Sequence, residues 1–399
     1  MKVILQITAG GIAFMLWFLV CLSYMYGTLY LSPSRHAAFH VLAVDYDGGV
    51  YPSEEDVYRA VWRGDYRASI VATDGASTRL SAALQGGQAA STYSSSNALH
   101  YVWNQQYYTT FANAIVQGHM TQLIAATRLA YNKINGTQAS HAVNTTDSAA
   151  VQAFLNPIQA GATNIHATTF GTSILMNTVS MAMPIMQQFF FLLVLNGVLG
   201  MHNLYKKMTV MSNLRFRRIA GSIFTFGAAL CQAGYYWAFR EKWDVNGNQF
   251  VLTWMIIWLL MHIHLLVLDS ISTVAPLPVM PFVVLLWVLL NMASALSPLE
   301  LQAGFFHWGI ALPSHEAYSV MVAIWTGGAH NRLYRALPIL FACGHGDGKD
   351  EEPGPSLRNF LSKLNTMSRT PTRLKRQRTV NEAALERREV YGPGIPPLA

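Results

Sequence analysis

The stretch FVLTWMIIWLLMHIHLLVLDSISTV, residues 250–274, decides the fold class of this chain. It carries one acidic residue, Asp269, near its end and contains no lysine or arginine. A helix needs about 20 consecutive apolar residues to cross the hydrocarbon core of a bilayer. Soluble core helices seldom reach this length without charge. The stretch therefore predicts a membrane-spanning helix.

Four further apolar stretches have a similar character: Val3–Leu31, Ile174–Leu199, Ile219–Phe239 and Val279–Leu296. The composition agrees, because 52% of the 399 residues are hydrophobic and only 12% are charged. Soluble domains carry about 25% charged residues. We therefore expect an α-helical polytopic membrane protein, multi-pass in the plasma membrane or an endomembrane, with one N-terminal span (1–31) and a C-terminal bundle of four clear spans.

The basic residues predict which side each loop faces. The loop 201–218 carries five of them and no acid: Lys206, Lys207, Arg215, Arg217 and Arg218. Short basic loops stay in the cytosol, so residues 32–173 are expected on the opposite, extracytoplasmic face. Two N-glycosylation sequons, at Asn135 and Asn144, fall inside that segment and agree with this orientation.

Residues 32–173 alternate between short β-rich runs and helical stretches. The predicted strands are 39–46, 66–72 and 99–104, and the predicted helices are 53–63, 76–84 and 108–134. Such alternation predicts an inserted extracytoplasmic α/β (α+β) domain.

The C-terminal part raises a topological conflict. Residues 344–399 predict a disordered basic tail, which serves either as a cytosolic retention signal or as a binder of anionic lipids. Five crossings would leave this tail outside, and only Ala336–Cys343 remains before it, too short to span. We therefore expect the bundle, residues 174–343, to hold an outer-face re-entrant or interfacial segment (298–335) and a truncated or broken last span.

Known catalytic motifs are incomplete in this sequence. Gly348-Lys349 lacks the flanking residues of a nucleotide-binding loop, and His315-Glu316 lacks the second histidine of a zinc-protease helix. The sequence therefore predicts no enzyme, no metal site, no cofactor and no nucleic-acid partner.

Polar residues at membrane depth are the remaining candidates for function, because burying them in lipid is costly. They are His262, His264 and Asp269 in the stretch 250–274, and Glu300 and His307 in the segment 298–335. His262 and Asp269 are seven positions apart and share a helix face. This group either contacts an amphiphilic substrate or relays a proton, or it joins helices by hydrogen bonds. The segment 298–335 is likewise either a structural turn or a functional gate.

Several motifs together resemble the fungal nitrosoguanidine-resistance membrane proteins. They are VDYDGG (44–49), GDYRA (64–68), GASTRL (75–80), QQFFF (187–191), PLEL (298–301) and WTGGAHNRLYR (325–335). That family is similar in layout to bacterial phage-infection proteins and to the membrane halves of type-2 ABC transporters. The resemblance implies one span, a large exterior domain and a membrane bundle. It also implies relatives with a cytosolic N-terminal region, an extra helix and strand after Gly49 and a longer last span.

The resemblance implies a role in tolerance of toxic or amphiphilic compounds, by transport or by altering lipid organisation of the membrane. The alternative is a non-transporting regulator or scaffold whose exterior domain binds a partner. The expected partners are the lipid bilayer, anionic lipids at the basic tail, and a second membrane protein or copy of the chain.

Overall fold

A computed structural model describes residues 2–46, 53–168, 170–202, 207–240, 243–276 and 278–344. The strands are β1 Val41–Asp45, β2 Ala68–Ala72, β3 Leu99–Trp103 and β4 Ala160–Asn164. The helices are α1 Lys2–Leu29, α2 Glu54–Arg63, α3 Ala76–Leu84, α4 Gln88–Thr92, α5 Gly118–Ala142, α6 Ser148–Leu155, α7 Val179–Met201, α8 Val210–Ala238, α9 Gly247–Val274, α10 Met280–Leu296, α11 Pro313–Trp325 and α12 Leu333–Gly344. The predicted tail, apart from Gly344, and the segment after Gly49 lie outside the described residues.

The strands form one mixed sheet in the order β1-β2-β3-β4. The pairs β1/β2 and β3/β4 are parallel, and β2/β3 is antiparallel. One face packs Ile70, Tyr101 and Trp103 against Val116 and Met120 of the helical segment that follows β3. We call the sheet and its helices α2–α6 the sheet domain. The expected α/β domain is therefore present in residues 41–164.

Local signals set the ends of α2. The Ser53 side chain accepts a hydrogen bond from the Asp56 backbone N–H, and acidic residues fill the first turn, where they complement the helix dipole. Gly64 ends the helix in the left-handed region, at φ 79°, which glycine adopts without strain. The prediction of a helix from Ser53 to Arg63 is confirmed.

The helix after β3 is longer than predicted. It begins with a turn at Thr109–Phe111, passes through a π-helical segment at Ala112–Gln117 and continues as α5 to Ala142, beyond the expected end at Ile134. Ala139 lies in an apolar cluster with Leu80 and Leu84 of α3. This tertiary contact stabilises the last turns, although Asn135-Gly136 favours a helix end locally.

Helices occupy all five predicted apolar stretches, but not all qualify as spans. Among the described residues, α7 and α9 are long and apolar enough to cross a membrane, and α1 makes a third if its bent continuation at Ser32–Ala38 is counted. The helix α10 has only 17 residues and stops before Pro298, because a residue preceding proline favours extended backbone. The α8 helix carries basic residues in its first turns. The layout thus agrees with a membrane protein, while four clear spans in the C-terminal bundle are not shown.

An apolar core holds the long helices together. Ile185, Phe189 and Leu192 of α7 pack with Leu268 of α9 and Val284 of α10. Gly221 permits the close approach of α8 to α9, since a Cβ atom there would overlap the Leu265 side chain. Such interfaces depend on small residues because lipid chains compete with apolar side chains for the same contacts.

The segment 298–335 folds back into the bundle. After two short 3-10 helices, Leu299–Leu301 and Gly304–Ala311, the helix α11 is buried along its whole length. Its first turn meets α10, where the Ser314 N–H donates to Asn291 Oδ1 at 3.3 Å. Its last turn meets the start of α9, where Gln249 Nε2 donates to the Ile324 carbonyl at 2.8 Å. The Gly344 end of α12 lies beside Ile263, about midway along α9.

Candidate functional site

The loop between α11 and α12, residues 326–332, projects from the bundle into the sheet domain. Gly327 and Gly328 have φ angles of 64° and 107°, and His330 has φ 54°. A positive φ is uncommon for a non-glycine residue and persists only where the surroundings fix it. The backbone N–H of His330 donates to the Trp62 carbonyl of α2 at 2.9 Å. Contact with the sheet domain therefore holds His330 in a strained conformation.

Arg67, the residue before β2, binds this loop and the segment before α11 at the same time. Its Nη1 contacts His330 Nε2, its Nη2 donates to Glu300 Oε1, and its guanidinium carbon lies 4.2 Å from the centre of the Tyr107 ring. Only 11% of the Arg67 side chain is exposed, against 36% for Glu300. We call Arg67, Tyr107, Glu300 and His330 the junction. It joins the sheet domain to the bundle through a largely buried ion pair.

The junction is closely packed. The rings of Tyr107 and His330 have their centres 4.1 Å apart at 34°. A Cβ atom on Gly64 would lie 2.9 Å from three atoms of the His330 ring. Gly64 is therefore needed twice, for the left-handed end of α2 and for room beside His330.

Burial and nearby cations fix the protonation states of the junction. Burial, then Arg67 and Arg332, hold the pKa of His330 well below its ordinary value. A guanidinium can only donate, so the neutral imidazole accepts at Nε2 and carries its proton on Nδ1. Burial raises the pKa of Tyr107 to about 12. At neutral pH His330 and Tyr107 are thus uncharged, and the charged contact of the junction is the ion pair of Arg67 with Glu300.

A small cavity adjoins the junction. Its volume is about 10 Å³, and its walls include Phe39, Asn104, Arg67 and His330. This space is comparable to a single water molecule and too small for an organic substrate. The chemistry of the junction is therefore that of a polar contact between two parts of the chain.

A second buried ion pair lies further inside the bundle. Glu316 of α11 has no exposed side-chain surface, and its Oε1 lies 3.1 Å from Nε of Arg335 on α12. The neighbouring His315 places Nδ1 2.8 Å from the Ser294 carbonyl of α10. An aromatic contact lies between the two ion pairs: the ring of Tyr108, next to Tyr107 of the junction, is centred 5.0 Å from the ring of Tyr318 on α11. Charged and aromatic groups thus continue from the sheet domain into the bundle.

One known protein family matches a part of the chain that contains both ion pairs. A family model described as "Protein of unknown function (DUF3533)" matches residues 50–343. The chain belongs to the DUF3533 family. No curated protein and no solved structure matches it significantly.

In this DUF3533 protein the five predicted polar residues do not form one group. Glu300 is in the junction, whereas His307 places Nε2 3.1 Å from the Gln302 carbonyl. His264 accepts from Trp287 Nε1 at 3.2 Å and faces the Ser314 hydroxyl at 3.4 Å. These contacts join α9 to α10 and α11.

Asp269 pairs with Arg217 of α8 rather than forming a group with His262. Arg217 donates to both Asp269 carboxylate oxygens and, at 2.6 Å, to Asn196 Oδ1 of α7. Three helices therefore meet at Arg217. His262 is half-buried on α9, and no partner of its Nδ1 is found within the described ranges.

The two sequons differ in local structure. Asn135 is half-buried within α5, whereas Asn144 is exposed just after it. Asn144 Oδ1 accepts from the backbone N–H of Thr146 at 3.1 Å and from its hydroxyl at 2.6 Å. Of the two asparagines, Asn144 is thus the more accessible.

Sequence reasoning missed most of the junction. Arg67 and His330 belong to two of the motifs that carry the family resemblance, GDYRA (64–68) and WTGGAHNRLYR (325–335), but neither motif indicates that the two residues meet or that Tyr107 joins them. The sequence offered Gly327-Gly328 and Arg332 as the place where a last span could be broken, but it did not predict that this loop contacts the sheet domain. Across the part of the chain that the structure describes, no group of three or more metal-ligating side chains is found.

Proposed function

We propose that this protein contributes to tolerance of toxic or amphiphilic compounds as a membrane protein whose sheet domain controls its bundle. The tolerance role comes from the resemblance to nitrosoguanidine-resistance proteins. The observation that supports control by the sheet domain is the junction, where Arg67 binds two segments of the bundle at once.

The connection between the two ion pairs gives this proposal a mechanism. The loop 326–332 ends at α12, so His330 in the junction is only five residues from Arg335. The loop also follows directly on α11, which carries Glu316. A shift of the sheet domain that pulls on His330 would therefore move Arg335 relative to Glu316. Because Glu316 is fully buried, a small change in its ion pair carries a large electrostatic cost.

Tolerance assays in cells that lack the gene test this proposal. We expect the variant Arg67→Met and the variant Glu300→Gln to reduce tolerance after it is normalised to the amount of protein in the membrane. The reversed pair, Arg67→Glu with Glu300→Arg, should restore part of it. Arg59→Gln is the matched control, since Arg59 forms an exposed ion pair with Glu55 on α2. Wild-type tolerance in both single variants would refute control through the junction.

Two ways of providing tolerance are compatible with the same bundle. One is movement of the amphiphile or of lipid, with Glu316 as the buried charge that changes partner. Flux of a fluorescent amphiphile into proteoliposomes tests this, and Glu316→Gln should abolish the flux. Flux that Glu316→Gln leaves unchanged would exclude this role for the carboxylate.

The second candidate function is a non-transporting regulator whose sheet domain binds a partner. The junction supports it, because contacts between the sheet domain and the bundle can transmit the binding of a partner whether or not the bundle moves a substrate. Deleting residues 356–399 separates the alternatives. A regulator that uses its tail should lose function or location, and a transporter should keep its flux.

A further inference from the structure

The first turns of α8 combine exposed apolar and basic side chains. Val210, Met211 and Ile219 expose 78%, 65% and 61% of their surfaces. Arg215 and Arg218 are also exposed, as is Lys207 just before the helix. A helix with apolar and basic side chains on its outer surface is suited to the boundary between lipid tails and headgroups.

The charged residues in and around the start of α8 are all basic. Residues 201–240 contain no Asp or Glu. Asp269 of α9 reaches this region and is bound by Arg217. Arg217 is directed into the bundle, since only 11% of its side chain is exposed and it also reaches Asn196. Of the three neighbouring arginines, the bundle thus buries Arg217, whereas Arg215 and Arg218 stay on the outer surface.

We infer that the exposed start of α8 binds anionic lipid headgroups. Arg215, Arg218 and Lys207 supply the positive charge, while Val210, Met211 and Ile219 contact the acyl chains. The occupant is a bilayer lipid rather than a soluble anion, because the apolar side chains need a hydrocarbon partner as well. This site is separate from the tail and does not depend on the tolerance function. It requires only that α8 lies against a bilayer.

Measuring lipid affinity with the full-length protein tests the site. The protein is placed in phosphatidylcholine nanodiscs and titrated with labelled phosphatidylserine. A basic residue near an anionic surface contributes about 1 kcal/mol, or roughly fivefold in affinity. We therefore expect Arg215→Gln/Arg218→Gln to weaken phosphatidylserine binding about thirtyfold. Binding should also weaken as salt is added, because exposed charges are screened.

Three controls distinguish binding at α8 from binding elsewhere on the chain. The variant Arg215→Lys/Arg218→Lys keeps both charges and should retain binding. The variant Arg59→Gln/Arg63→Gln removes two exposed charges from α2 and should have no effect. Deletion of residues 356–399 should leave the affinity of the α8 site in place.

The inference would be overturned by any of three results. The first is unchanged phosphatidylserine affinity in Arg215→Gln/Arg218→Gln. The second is a loss of affinity that follows deletion of the tail instead. The third is release of the lipid by equal concentrations of inorganic phosphate, which would make the site one for soluble anions. Thermal unfolding in phosphatidylcholine should be the same for wild type and both arginine variants, since exposed substitutions change stability little.

Discussion

Replacing Arg67 by methionine should weaken the attachment of the sheet domain to the bundle. Methionine keeps much of the apolar length of the side chain but removes the ion pair with Glu300 and the stacking on Tyr107. Removing one partner of a fully buried ion pair costs about 3–5 kcal/mol. Glu300 is 36% exposed and can regain water once Arg67 is gone. We therefore expect a smaller loss, about 2–3 kcal/mol in the free energy of unfolding.

A double-mutant cycle isolates the ion pair from the other contacts of Arg67. The four proteins are wild type, Arg67→Met, Glu300→Gln and the double variant, each unfolded by SDS titration in mixed micelles. The coupling free energy should be about 1–2 kcal/mol, because the two groups interact directly at a site of limited water access.

An exposed pair in the same chain provides the comparison. Arg59 and Glu55 lie one turn apart on α2, with 35% and 68% of their side chains exposed. Exposed helix pairs of this kind couple by about 0.3–0.5 kcal/mol. Coupling in the Arg67/Glu300 cycle no greater than in the Arg59/Glu55 cycle would refute the argument that burial makes the junction a strong attachment.

Gly64, His330 and Asn144 provide three further tests. Gly64→Ala should lower the unfolding free energy by about 1–3 kcal/mol, because it adds a Cβ atom against the His330 ring at a left-handed φ; thermal unfolding measures this, and a neutral result would mean that the loop yields easily. Since the pKa of His330 is lowered in the fold, its contribution to stability is complete above its ordinary value of 6.5 and declines as the pH falls below that value, by up to about 1.4 kcal/mol per pH unit. His330→Asn should reduce the slope of the stability–pH profile in this range by up to the same amount, and a slope equal to that of wild type would assign it to other groups. Asn144→Gln should abolish the glycosidase-sensitive shift in gel mobility while Asn135→Gln leaves it, and the opposite pattern would contradict the preference for the exposed sequon.

The apolar helices and much of the sheet domain could be predicted from the amino-acid sequence. Both depend on interactions between residues close in the chain. The stretch 250–274 is apolar over a length that few soluble helices reach, and α9 covers it. Ser53, the acidic first turn and Gly64 fixed both ends of α2 through local hydrogen bonds and backbone freedom. Where local preference was weak, prediction failed. The strand β4, Ala160–Asn164, has few β-branched or aromatic residues and forms through its pairing with β3.

The grouping of the polar residues depends on how the helices pack and could not be predicted from the sequence. Asp269 was expected beside His262 because both lie on one helix face, yet Arg217 from α8 is its partner. Helix periodicity reports which residues share a face but not which helix lies opposite that face. The junction shows the same limit, since Arg67 and His330 are 263 residues apart and meet only after the bundle has positioned the loop 326–332. The energetic importance of these ion pairs also depends on the fold. The cost of leaving Arg67, Glu300 and Glu316 unpaired depends on how far the folded chain excludes water from them.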